Sequence, residues 1–332
     1  MRTRATRRGL RLTELGLGAA QLGNLYRETT DQEVVDTIDS AWASGIRYFD
    51  TAPHYGVGLS ERRLGGQLVS RPRDEFVVSS KVGRLLVPSP ETAHERDGHG
   101  FDVPADPRRE WDFSRDGILR SVESTLERTG LDRIDVLYLH DPDDFIEQAF
   151  GEGINALIEL REQGVVAAVG AGMNYSAPLA DLIRRADVDL VMVAGRFTLL
   201  EQPALDDLLP IALERGVGVV AAAVYNTGLL AKLRPAPGAS YDYGPASVDL
   251  IARANRIADV CEAHGVTLPV AAVAYPLLHP AVVSVVLGAR GSAQVDENAA
   301  RYETPVPDAL WSDLRSAGLI PDSPVITKDN AP

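Results

Sequence analysis

Eight short apolar runs, at 15–19, 47–51, 76–82, 134–140, 165–171, 190–194, 217–224 and 282–287, recur along the chain with amphipathic stretches between them. The runs are nearly continuous in Val, Ile, Leu and Ala. They do not alternate with polar residues, so each reads as a strand buried on both faces, as in a parallel sheet covered by helices. Helical patterns fill the intervals at 59–69, 114–129, 147–163, 177–185, 203–215 and 247–264. Another follows Thr30, where Thr30 and Glu33 spell a capping box, and stops at Gly45. Gly130, Gly164, Gly216 and Gly265 each follow a helical stretch, where a positive φ ends a helix. Eight strand–helix units point to an α/β fold, a single (β/α)8 TIM barrel over 1–320 with a loosely ordered tail at 321–332. The pattern alone also admits an open doubly wound sheet.

The connection at 84–112, after the third run, is rich in proline, glycine and charge (SPETAHERDGHGFDVPADPRREWD). A structureless stretch of that length is a functional lid or a disordered insertion. In a barrel it hangs over the C-terminal face of the strands, where active sites are built. Trp111, near its end, either covers the substrate or pins the loop, since aromatic side chains serve both uses.

The net charge of -14 argues against nucleic acid or an anionic membrane surface as a partner. The one cysteine, Cys261, allows no intramolecular disulfide and no CxxC motif; it reads as a small buried hydrophobe and fits a cytoplasmic location. The basic N-terminus has no apolar run behind it and does not read as a signal peptide. No apolar stretch is long enough to span a membrane. His94, Glu95, Asp97 and His99 match no compact ligand spacing, so the expectation is a solvated loop and no metal. Asp141, Asp143 and Asp144 read as caps of the following helix.

The chemistry lies at the strand ends. Asp50 ends the second run in YFDTAPHYG, and Tyr55 follows it in the loop. Lys81 ends the third in VVSSKVG, and His140 ends the fourth in VLYLHDPD. A charge closing an apolar strand is costly unless it is paired or faces a cleft. In a barrel these ends meet at one mouth, so the four side chains are expected to converge.

Over nearly its whole length the chain resembles the aldo-keto reductase family. The likeness rests on LGLGAAQLG, FDTAPHYGVGLSERRLG, SSKVG, LYLHDPD, VGAGMN and LGARGSAQVDENAAR, and it leans to the sugar-dehydrogenase branch through VGAGMN, AGRFTLL and YNTGLL. The resemblance implies Tyr55 as general acid–base, Lys81 and Asp50 as its polarising pair, and His140 as the group that orients substrate. The physics agrees: a phenol of ordinary pKa about 10 is a poor proton carrier near neutrality, and a neighbouring ammonium is expected to lower that value.

No GxGxxG opens a helix after the first strand, so a Rossmann-type site is absent. The resemblance implies NADP or NAD, held in the late loops. Gly288, Arg290, Gln294, Glu297 and Asn298 belong to the adenosine end, and Tyr225, Asn226, Gly228 and Leu229 to the pyrophosphate. Asn174 takes the nicotinamide amide contact with Arg196 nearby, and Gly18, Ala19 and Asp50 complete the expected cofactor site. Gly172, Met173, Val193 and Ala222 depart from the ring-holding residues of many relatives. Substrate contacts are expected from Tyr55, His140 and Trp111. The activity implied is oxidation of an aldose such as fucose or arabinose at C1 to the lactone. Pyridoxal oxidation or general aldehyde reduction is the alternative within the class, and a non-catalytic redox-sensing subunit or a sugar-phosphate isomerase the alternative outside it.

Overall fold

The eight runs form parallel strands: β1 (Leu15–Gly18), β2 (Tyr48–Asp50), β3 (Val77–Val82), β4 (Val136–His140), β5 (Ala168–Met173), β6 (Leu190–Ala194), β7 (Gly218–Ala222) and β8 (Val282–Gly288). The computed structural model describes residues 1–242 and 244–322. In it each strand pairs with its neighbour in sequence and β8 closes on β1, so the sheet is a barrel and not an open doubly wound one. Of the tail expected at 321–332, residues 323–332 lie outside the described part.

Helices α1 (Asp31–Ala43), α2 (Leu59–Leu68), α3 (Arg115–Thr129), α4 (Ile154–Glu162), α5 (Ser176–Arg185), α6 (Leu208–Arg215), α7 (Val248–Ala263), α8 (Leu268–Ala274), α9 (Ser292–Glu303) and α10 (Asp308–Ser316) surround it. The Thr30–Glu33 capping box starts α1 as expected. Gly130, Gly164, Gly216 and Gly265 all have positive φ. Inside the barrel, Leu12, Tyr48, Val136, Tyr138, Ala168, Leu190, Met192, Val220, Val283 and Val286 pack together; the larger core lies between strands and helices. Among the described residues no single helix is long and apolar enough to cross a membrane.

Two elements differ from the sequence reading. The stretch at 147–163 is not one α-helix: a wide π-helical turn at Ala149–Gly153 precedes α4. Gly153 sits there against Phe113, whose carbonyl oxygen would be 3.0 Å from an added Cβ. The connection at 84–112 is not structureless either. Arg84–Val87 pairs antiparallel with Arg108–Trp111, and the tip is clasped to the β1–α1 loop by a Leu25–Phe101 bridge and by Tyr26 N–H donating to Gly100 O at 2.7 Å. The flap carries its own apolar contacts, Phe101 and Val103 packing with Val57.

Candidate active site

Strand register decides what enters the barrel. Asp50 is level with Ser79, Lys81 with Tyr138, and His140 with Gly172. Side chains alternate along a strand. Tyr48 and Asp50 on β2, Ser79 and Lys81 on β3, and Tyr138 and His140 on β4 therefore share the inner side.

Tyr55 is delivered by the loop after β2, which rests on a buried polar pedestal. Thr51 and Ser60 hydroxyls lie 2.8 Å apart, and Ser60 donates to the Ala19 carbonyl at 2.7 Å. Glu61, wholly buried, accepts from Ser80, Thr125 and Arg128. Gly56, with φ +60°, lies so close to Gly23 that a Cβ would stand 2.2 Å from its carbonyl oxygen. The SER and LG parts of the sequence motif thus hold the phenol's loop, Gly65 of LG lying against Thr129 too closely for a Cβ.

The four expected residues converge. Lys81 Nζ donates to Asp50 Oδ2 at 2.7 Å, to the Thr51 carbonyl at 3.0 Å and to the Tyr55 hydroxyl oxygen at 3.0 Å. An ammonium has three protons, so all are committed and Tyr55 oxygen accepts from lysine. The phenol's own proton is left free to point elsewhere. The His140 ring stands edge-on to Tyr55, centroids 5.9 Å apart.

The electrostatics correct one expectation. Lys81 does pull the Tyr55 pKa down, but burial, joined by the Asp50 charge, outweighs it and the phenol is held above its ordinary value. Burial pulls Lys81 down, yet Asp50 and Tyr55 together carry it above the usual lysine range. Burial, with the Arg84 and Lys81 charges, keeps His140 neutral far below the usual range, and His54 is pushed down to about 2 by burial and by Arg84 and Arg109. His140 therefore offers a neutral imidazole.

Several neighbours of Tyr55 escaped the sequence reading. Arg84 pairs with Asp141 at 2.9 Å, and Asp141 lies 3.6 Å from His140 Nε2. Asp141 thus binds Arg84 instead of capping a helix; its φ of +37° turns it back toward the barrel mouth. No side-chain cap comes from Asp143 or Asp144 either. Arg109 pairs with Asp97 and donates to the His54 carbonyl at 2.8 Å. His99 packs on His54, and among the described residues no group of acidic, His or Cys side chains has metal-binding geometry. Trp111 is half exposed at the rim, stacked on Phe145 with Arg84 above its ring. Arg84 and Asp141 follow Lys81 and His140 by three residues and one, and that spacing was the available signal.

Beside the tetrad runs a groove of about 500 Å³. Asn174, Arg196, Tyr225, Asn226, Gly228, Gly288, Gln294, Glu297 and Asn298 line it as expected, joined by the unanticipated Gln21, Tyr26, Lys232, Asp242 and Arg301. Arg196 bridges the groove, donating to the Asn174 carbonyl and to Asp242, both at 2.9 Å. The Tyr225 hydroxyl donates to Asn298 at 3.0 Å and accepts from Arg301 at 3.1 Å. Five expected residues do not line the groove. Gly18 abuts Val286, Ala19 and Leu229 are buried scaffold, and Asp50 lies under Lys81. Arg290 turns away from the groove, donating to the Thr29 hydroxyl at 2.8 Å and to the Leu25 carbonyl. The two amides just before α9 are also taken: Arg290 N–H by Gln294 and Gly291 N–H by Thr37, each at 2.7 Å.

The groove suits a nicotinamide dinucleotide. Its size is that of a cofactor cleft. Asn226 Oδ1 and Gln21 Oε1 are buried on its wall without a hydrogen-bond partner among the described residues, as expected of acceptors awaiting ribose or amide donors. Asn226 and Thr227 have positive φ, backbone strain of the kind found at ligand sites.

Comparison with known proteins agrees. The Aldo/keto reductase family profile matches residues 14–318. The chain is 49% identical to a D-threo-aldose 1-dehydrogenase of a Pseudomonas species, covering 94% of this chain and 96% of that one. It is 38% identical to the pyridoxal 4-dehydrogenase of Microbacterium luteolum, covering 95% and 96%. Among solved structures it resembles the holo form of an aldo-keto reductase from Bacillus halodurans, with a TM-score of 0.74, 25% identity and 99% of each chain covered. With Asp50, Tyr55, Lys81 and His140 gathered at the mouth of a closed barrel, this chain belongs to the aldo/keto reductase family and is an NAD(P)-dependent oxidoreductase.

Proposed function

We propose that the chain oxidises an aldose at its anomeric carbon, giving the lactone, with NAD or NADP held in the groove. The carrying observation is the polarity around the phenol. His54 Nδ1, His140 Nδ1, Arg84 Nε and Arg109 Nε are all buried without a partner among the described residues. Both imidazole rings lie within about six ångströms of the Tyr55 ring, at 6.2 and 5.9 Å. Unsatisfied buried polar nitrogens around the phenol suit a substrate rich in hydroxyls, whereas a site for simple aldehydes would be mainly apolar. The aldose 1-dehydrogenase activity of the Pseudomonas relative supports the same class.

The bound dinucleotide supplies the hydride acceptor for oxidation and the donor for reduction. Gln21, Asn174, Tyr225, Asn226, Gln294, Glu297 and Asn298 are the side chains that would hold it. Tyr55 takes the proton of the C1 hydroxyl during oxidation and returns it during reduction. Lys81, donating to the phenolic oxygen, favours the tyrosinate as the proton is taken up and released. Asp50 keeps Lys81 charged and in place. Neutral His140 shares a hydrogen bond with the substrate oxygen, and the flap, closed on the β1–α1 loop, keeps water from the reacting carbon.

An absorbance assay at the nicotinamide band, pairing each of NAD and NADP with aldoses, pyridoxal and unsubstituted aldehydes, tests this. Aldoses should turn over with the highest kcat/KM. Turnover of unsubstituted aldehydes alone, or of pyridoxal alone, would refute the assignment.

A further inference from the structure

The barrel interior beneath Asp50 is apolar except for three hydroxyls in a row. Ser79 donates to Asp50 Oδ1 at 2.7 Å. The Tyr48 hydroxyl lies 3.0 Å from Ser79 Oγ, and the Tyr138 hydroxyl 3.3 Å from that of Tyr48. All three residues are 0% exposed, and Val136, Ala168, Leu190, Met192, Val220 and Val286 surround the tyrosines.

The direction of these bonds is dictated by one charge. A carboxylate only accepts, so the Ser79 proton goes to Asp50. Ser79 oxygen then accepts from Tyr48, and Tyr48 oxygen from Tyr138. The other carboxylate oxygen, Oδ2, takes Lys81, which in turn donates to Tyr55. One line of hydrogen bonds therefore runs from the barrel centre to the catalytic phenol.

The row stops at Tyr138, with no outlet to solvent, so it does not carry protons out. Burial keeps both tyrosines firmly protonated, so each has a proton to donate toward Asp50. Phenylalanine would fill the space of either tyrosine, so the two hydroxyls are not there for packing. A dead-ended row of donors draws negative charge off the carboxylate. Bonds to an ionised acceptor are stronger than neutral ones, and consecutive bonds polarise one another. With less charge left on Oδ2, more of the Lys81 field reaches Tyr55.

We propose that Ser79, Tyr48 and Tyr138 are positioning residues for proton transfer, their hydroxyl chain limiting the charge that Asp50 presents to Lys81 and so easing the release of the Tyr55 proton. This rests on Tyr55 being the proton carrier and is independent of which substrate is oxidised. The other charged or titratable groups facing Tyr55 are Arg84 from the end of β3, His140 and Asp141 from the end of β4, and His54 from its own loop. None of them is altered in the variants below.

The test titrates the Tyr55 phenol in cofactor-free protein by tyrosinate absorbance, each background being read against its own Tyr55→Phe partner. The alkaline limb of kcat/KM for oxidation gives a second reading. Ser79→Ala should raise the midpoint by about 0.5 to 1 pH unit, part of what a bond to a charged group carries. Tyr48→Phe should raise it less, and Tyr138→Phe least. The Ser79→Ala/Tyr48→Phe double variant should move no further than Ser79→Ala, because a serial chain cut at its first link has nothing more to lose. Ser79→Thr, which keeps the hydroxyl, should titrate as wild type. An unmoved midpoint and limb in Ser79→Ala and Tyr48→Phe, or strictly additive shifts, overturns the proposal. If Ser79→Ala does not fold, Tyr48→Phe and Tyr138→Phe decide by the same criterion. Failure of the aldose assignment would look different: aldose turnover would be absent while the midpoint still shifted.

Discussion

Arg109, out in the flap, donates to the backbone carbonyl of His54, the residue beside Tyr55, at 2.8 Å. Its guanidinium also pairs with Asp97 of the flap, and both side chains are almost fully buried, at 4% and 3% exposure. The flap is thus latched to the loop whose tyrosine it covers. Removing one member of a buried pair leaves the other uncompensated, at about 3–5 kcal/mol. Arg109→Met should raise the substrate KM several-fold and expose 84–112 to limited proteolysis. The double variant Arg109→Met/Asp97→Asn should be less sensitive than the single one. Equal protease resistance in wild type and Arg109→Met would contradict the latch.

Tyr55→Phe removes the only proton that the Lys81 network leaves unassigned. Proton transfer by a placed side chain is worth about a hundred- to ten-thousand-fold. Steady-state kinetics should show kcat lower by that factor, with cofactor quenching titrations unchanged, since Tyr55 does not line the groove. A variant with wild-type turnover would assign the proton to another group.

Burial holds the Tyr55 proton affinity above its ordinary value despite Lys81. Oxidation needs the tyrosinate, so its kcat/KM should climb with pH across the neutral and mildly alkaline range. Reduction needs the phenol and should stay level there. A pH–rate profile for oxidation that is flat between pH 7 and 9, a window lying wholly below the midpoint of a raised phenol, where the tyrosinate fraction climbs steadily, would be incompatible with this assignment.

Three histidines are neutral in the fold: His54, pushed down to about 2, His279, pushed down to about 4, and His140, well below the usual range, each chiefly by burial. Their folded pKa values lie below the unfolded value of about 6.5, so the unfolded chain binds more protons as pH falls. Their contribution to stability is complete above about pH 6.5 and is lost progressively below it, at about 1.4 kcal/mol per unit for each group at most. Thermal unfolding followed from pH 7.5 to 5 should show a falling Tm. A Tm that stays constant to pH 5 would mean that these rings protonate without unfolding the chain.

Much of this architecture could be read from residue pattern, because doubly buried parallel strands leave unbroken apolar runs. Asp50, Lys81 and His140 stood out for the same reason, as charges or imidazole closing such runs. Tyr48 and Tyr138 were passed over although they lie two residues before Asp50 and His140, since within an apolar run a tyrosine reads as one more core residue. α8 is buried almost throughout and shows no amphipathic period, so it left no helical signature. The flap read as irregular because proline and charge dominate it, while its order comes from contacts with Leu25, Tyr26 and Val57, far away in sequence. Arg290 was assigned by its place in a motif, and only the neighbouring carbonyl of Leu25 reveals that its charge is engaged elsewhere.

Ser80 and Lys81 are adjacent, yet one faces the helices, bound to Glu61, and the other the interior, bound to Asp50. The proton chemistry is therefore a matter of parity. Inserting or deleting a single residue within β3 would exchange the two and abolish it, whereas lengthening the flap or the β1–α1 loop leaves the odd–even count intact. Attempts to broaden substrate range can rebuild those loops without disturbing this alternation, provided Gln21, Gly23 and Arg109 keep their contacts and the residue count from strand start to strand end is untouched.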